Sequence, residues 1–202
     1  MKKAILLFTA VACVYMTEAQ PSPDTTGKLI AQKDNIITAS TVLKIENLGP
    51  NINTDLPELR PTVSADGNLL FFICENDPHN TKYRSIRNSQ DIWYSERDSA
   101  GKWGGAIHMG YPLNTYHYNA VYWISPDNNR ILIRNAFIDG DYVGNGVSMS
   151  YRTRDGGWSK PNALRIRNYL KYDRGRQNGA TMAHDGQTLL LYMTEEKGGE
   201  NN

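Results

Sequence analysis

The sequence predicts an all-β fold of four-stranded antiparallel sheets repeated in series, and three spacings carry that prediction. A Ser-x-Asp turn with an apolar run behind it appears as VSADGNLLFF from Val63, SPDNNRILI from Ser125 and AHDGQTLLL from Ala183. Its aspartates, Asp66, Asp127 and Asp185, recur at nearly equal intervals. IWYSERDSAGKW from Ile92 to Trp103 matches VSMSYRTRDGGW from Val147 to Trp158, and the two stretches are equal in length. LGPNINT (Leu48 to Thr54) matches MGYPLNT (Met109 to Thr115), and Asn53 stands as far ahead of Asp66 as Asn114 does of Asp127. Self-similarity at a fixed period marks a repeat architecture.

Taken in order, segment 1–19 reads as a signal peptide. Lys2 and Lys3 precede an apolar run from Ala4 to Met16, and Thr17-Glu18-Ala19 offers a small residue for cleavage. The run is too short to span a membrane. Ala10-Val11-Ala12 before Cys13 also allows a lipoprotein reading, but apolar character continues past that cysteine. Segment 20–41 forms a linker or a short helix, and from 42 to 202 helical periodicity is nearly absent.

Each unit then supplies four strands. One precedes the aspartate, as in Ala120 to Ile124, and one follows it, as in Leu69 to Ile73, Ile131 to Ile133 and Leu189 to Tyr192. A third lies at DIWYS, and a fourth opens at Trp103 or Trp158. Asp66-Gly67, Asp127-Asn128 and Asp185-Gly186 are structural turns, since Gly and Asn tolerate positive φ and Asp bonds its own backbone. Sheets of four strands in series suggest β-propeller blades. Repeats of about 42–98, 103–153 and 158–202 give an incomplete ring of two and a half to three blades, truncated at the C-terminus. The long turn-rich stretches 75–90, 114–119, 135–145 and 168–178 are expected as loops on one face.

At these residues the chain resembles the TolB-type, WD-like propeller repeat of bacterial envelope proteins. The resemblance rests on NLG (Asn47 to Gly49), INT (Ile52 to Thr54), Pro61, SADG (Ser64 to Gly67), DIW (Asp91 to Trp93) and DGGWSKP (Asp155 to Pro161). The second unit departs from it with Gly146 at the place of Asp91, and the third with Ala183 at the place of Ser64. Such repeats often precede OmpA-like peptidoglycan-binding domains. The resemblance therefore implies a periplasmic or outer-membrane-associated location and a missing C-terminal domain of that kind.

Composition narrows the function. Cleavage after Ala19 removes two of 22 Lys and Arg and one of 21 Asp and Glu, leaving 20 of each. A neutral chain gives no general electrostatic reason to bind nucleic acid. The mature chain keeps one cysteine, Cys74, so no intramolecular disulfide forms. No other segment is long and apolar enough to cross a membrane. DGDYVGNG (Asp139 to Gly146) is a poor calcium loop, because Val143 stands at the third ligand position. His79, His108, His117 and His184 lack zinc spacing, so no metal and no cofactor are expected. The basic run from Tyr151 to Arg176 could meet anionic groups, but Arg165-Ile166-Arg167 alternates like an exposed edge where charge blocks pairing.

The expected activity is non-catalytic binding or scaffolding of an envelope protein, peptide or glycan. The alternative is a glycosidase of sialidase-like propeller fold, since RDGGWS is similar to the sialidase Asp-box, although the residue usual between its Gly and Trp is missing. The candidate ligand contacts are His79, Tyr83, Tyr116, His117, Tyr118, Tyr169, Tyr172 and Arg174, side chains suited to adaptable contacts with peptides or sugars.

Overall fold

A computed structural model of the chain describes residues 45–82, 87–173 and 178–193. Those from Leu48 onward belong to one unit; residues 45–47 belong to a second, of which nothing more is described. The segments 1–19 and 20–41, with Cys13, lie outside the described residues, as do Tyr83 and Arg174.

Strand is the main regular structure of the described chain, which has almost no helix. The first sheet runs in chain order through β1 (Glu58–Val63), β2 (Leu69–Glu75), β3 (Gln90–Glu96) and β4 (Ile107–His108). The second repeats that order with β5 (Val121–Ile124), β6 (Arg130–Ile138), β7 (Asp141–Tyr151) and β8 (Asn162–Ala163). A third sheet pairs β9 (Asn178–Met182) with β10 (Leu189–Met193). Every pairing is antiparallel.

The Ser-x-Asp turns explain why the strands reverse where they do. The Ser64 hydroxyl donates to Asp66 Oδ1 and accepts from Leu69 N at 2.9 Å, while Asn68 N donates to the same carboxylate at 3.0 Å. Ser125, Asp127, Asn129 and Arg130 repeat this pattern. Ala183 removes the hydroxyl from the third turn, yet Gln187 N still reaches Asp185 Oδ1 at 2.8 Å. Gly67, Asn128 and Gly186 take φ of 73°, 58° and 70° at the tight position. The hydroxyl bond, ahead of the backbone bond, holds Asp66 and Asp127 below the ordinary carboxylate value.

The LGPNINT and MGYPLNT repeats form a matching turn. Asn53 N bonds Gly49 O at 2.9 Å and Asn114 N bonds Gly110 O at 2.8 Å. The turn buries Ile52 and Leu113 almost completely.

Two cores separate the sheets. Leu69, Phe71 and Ile92 of the first sheet meet Val121, Ile124, Ile131, Ile133, Phe137 and Trp158 of the second unit. On its other side the second sheet turns Trp123, Leu132, Val147 and Met149 toward Ala180, Met182, Leu189 and Leu191. Strand alternation sends odd and even positions to opposite neighbours, which is why both faces of the second sheet read as apolar. Leu164 and Ile166 join the second core while Arg165 and Arg167 stay exposed, so the predicted alternation is present although β8 has already ended.

Three expectations change. The stretch 135–145 is not a loop: β6 and β7 continue through it to a two-residue turn at Asp139-Gly140, with φ of 53° and 88°. Register shifts around Ala136 bend this hairpin, and Phe137 reaches the core. The tryptophans do not open the fourth strands. Trp103 and Trp158 form isolated bridges to Arg97 and Arg152, and β4 and β8 begin a few residues later. Finally, 168–178 carries a one-turn helix, α1 (Tyr169–Tyr172).

Candidate functional site

The connection 114–119 is tied to the strand ends around it. Asn119 N bonds Gln90 O at 2.9 Å at the start of β3, and Asn135 Nδ2 bonds Tyr118 O at 3.0 Å at the bend of β6. Tyr118 stays 45% exposed, and the Arg134 guanidinium sits 5.7 Å from its ring centre. Arg134 also acts electrostatically on Tyr122 and Tyr169. Burial pushes the Tyr122 hydroxyl above its ordinary value, and Tyr169 is raised by burial and then by the charge of Asp173.

Asp173 is 6% exposed. Its Oδ2 accepts from Asn178 Nδ2 at 3.0 Å, whereas Oδ1 is buried without a hydrogen-bond partner among the described residues. The Tyr122 hydroxyl donates to Asn178 O at 3.4 Å, Arg60 lies 5.6 Å from the Tyr122 ring centre, and Arg60 Nη1 donates to the Tyr192 hydroxyl at 3.0 Å. The result is a patch of tyrosines, two arginines and one buried carboxylate. It can stack on a flat or apolar group and bond hydroxyls, amides or carboxylates around it.

Of the predicted residues, Tyr118 lies against Arg134, and the Tyr169 hydroxyl feels the charge of the same arginine. Tyr116 and Tyr172 are exposed, the latter beneath Lys171 at 5.4 Å. His117 goes elsewhere, stacking on Tyr142 of β7 with ring centres 3.5 Å apart. His79 also lies apart: its Nδ1 bonds Asp77 at 2.9 Å and its ring meets the edge of Trp93. Arg134, Asp173, Tyr122 and Asn178 were not singled out in the sequence. Arg134 and Tyr122 lie within strands, where alternation gives no sign of which side chains reach a strand's end.

A second polar cluster is structural in form. Asp91, fully buried, accepts from Thr81 N, from Asn119 Nδ2 at 2.9 Å and pairs with His108 Nε2 at 2.8 Å. Asn114 acts as a short strand, bonding Ile92 N at 2.8 Å and Ile92 O at 3.0 Å. Cys74 beside Asp91 is buried, and burial followed by nearby acidic charge pushes its thiol up to about 12. Among the described residues no group of three or more His, Cys, Asp or Glu could hold a metal ion, and no helix is long and apolar enough to cross a membrane. No protein-family model, curated protein or solved structure matches the chain.

Proposed function

We propose that the chain is a non-catalytic binding or scaffold module of the cell envelope, built as a segment of a β-propeller. The side-by-side placement of β1, β5 and β9, the first strands of three successive sheets, supports the propeller reading. In that geometry these strands line the axis and the patch around Arg134 sits at their mouth. The observation that carries recognition is the half-exposed Tyr118, with the Arg134 guanidinium 5.7 Å from its ring centre. A protein, peptide or glycan with polar groups around a flat face fits this chemistry.

Replacing both Tyr118 and Tyr172 with Ala should weaken capture from glycan and peptide arrays while leaving the thermal melt unchanged, because exposed loop tips add little to the core. Undiminished capture by that folded double variant sinks the loop-face reading. Turnover of fluorogenic glycosides by the purified chain would overturn the non-catalytic one.

A further inference from the structure

We propose that a cleft between the outer ends of the two four-stranded sheets binds the C-terminal residue of a peptide, its carboxylate on Arg152 and its apolar side chain on the aromatic floor. This site is separate from the patch around Arg134 and does not depend on it. The cleft holds about 230 Å³ and is lined by Phe71, Tyr94, Tyr111, Leu113, Arg152 and Trp158 among others. It is smaller than pockets that take drug-sized molecules, at about 300–1,000 Å³, and suits one residue-sized group.

The floor is preformed. Phe71 and Trp158 meet edge to face at 6.2 Å, and both belong to the core between the sheets. Tyr111, 70% exposed, stands at the rim as an aromatic surface left in water. Its polar side chains are Tyr94, His108, Tyr111 and Arg152, of which His108 is already paired with Asp91. Arg152 has no carboxylate partner among the described residues, and its guanidinium lies 5.2 Å from the Trp158 ring centre. Stacking uses the face of the guanidinium and leaves its N–H donors available. The same pair recurs at Arg97 and Trp103, 4.7 Å apart, so the stack belongs to the repeat. Arg152 and Trp158, unlike that first pair, line this cleft. The Tyr94 and Tyr111 hydroxyls also have no hydrogen-bond partner among the described residues.

A planar guanidinium with open donors selects a carboxylate, which it can grip through two bonds. The floor of Phe71, Leu113 and Trp158 selects an apolar group. A peptide's last residue joins both features on one carbon. An internal Asp or Glu brings the carboxylate without the apolar side chain.

The test titrates the purified full chain with N-acetyl-Gly-Gly-Phe as free acid and as C-terminal amide, and with glucuronic acid, followed by NMR. The free acid should bind at least about tenfold more tightly than the amide, the scale of a lost charge-assisted contact. Arg152→Gln should bring the acid to the level of the amide, Arg152→Lys should keep part of the preference, and Tyr111→Ala should weaken both peptides. Equal binding of acid and amide, binding of neither, or a preference for glucuronic acid would overturn the proposal. If melts show Arg152→Gln to be unfolded, the acid–amide comparison and the exposed Tyr111→Ala variant decide.

Discussion

The first and second sheets share order, turns and Trp bridges, yet Asp91 of the first stands where the second has Gly146. In the first sheet fourteen residues connect β2 to β3, and Asp91 braces the described part that ends at 82. Its carboxylate gathers Thr81 from that connection, His108 from β4 and Asn119 from the chain entering the next sheet. In the second sheet the connection is a two-residue turn, and no brace is needed. Gly146, at φ 155°, lets β7 bulge past Ala136, whose Cβ would lie 2.8 Å from any Cβ added there. Ser148 closes the bend, accepting from Phe137 N at 3.0 Å and donating to Asn135 O at 2.8 Å. One position in the repeat thus holds either a carboxylate that organises a loop or a glycine that shapes a hairpin.

How alike the two Trp bridges are is open to the most sensitive test. Trp158 is 8% exposed and packs between the sheets, whereas Trp103 is half-buried with its indole N–H buried and unpaired. Trp158→Ala should cost about 3–5 kcal/mol in urea unfolding. Trp103→Ala should cost clearly less, because less area and no satisfied N–H is lost. Equal losses would make the bridges energetically equivalent and the distinction between them empty.

Next comes the brace itself. Asp91→Ala strands three buried or half-buried partners at about 1–3 kcal/mol for each one that water cannot reach. A total of about 3 kcal/mol is expected on that scale, with faster proteolysis within 76–89 at native temperature. A destabilised variant whose connection stays protease-resistant would show that Asp91 does not organise it.

Gly146→Ala should cost about 1–3 kcal/mol by overpacking against Ala136. The paired variant Ala136→Gly should recover much of that loss, since it removes the contacting Cβ. No recovery would assign the cost to backbone conformation instead of the close approach.

A pH dependence separates the two sheets least. His117 is exposed, and the partial desolvation of its ring, stacked on Tyr142, holds it below its ordinary 6.5, so the folded state favours the neutral ring. The unfolded chain therefore binds the proton first. Stability from this group is complete above about 6.5 and is lost as pH falls through the lower folded value. Tm should drop more between pH 7 and 5 for the wild type than for His117→Phe, which keeps a ring and cannot titrate. Parallel curves would remove His117 from the pH response.

Antiparallel four-stranded sheets and the Ser-x-Asp turns were legible in the residues alone, while the fourth strands begin later than the tryptophans that were read as opening them. Asp66, Asp127 and Asp185 announce those turns because each closes a local hydrogen-bonded ring with its near neighbours in the chain. The repeated LNT motif was visible as a spacing, but its reason was not, since Asn114 bonds Ile92, 22 residues away. The candidate patch divided in the same way. Tyr118 and Tyr169 stood out as turn-rich aromatics, while Arg134 and Asp173 acquired meaning only when connections from different sheets met. The hairpin at 135–145 read as a loop because its Asp, Asn and Gly residues are those of turns. Phe137 and the Ser148 bonds hold that polar stretch in strand form. Local chemistry fixes where this chain reverses; contacts between residues distant in sequence decide which of its polar side chains are buried together and which are left open at the surface.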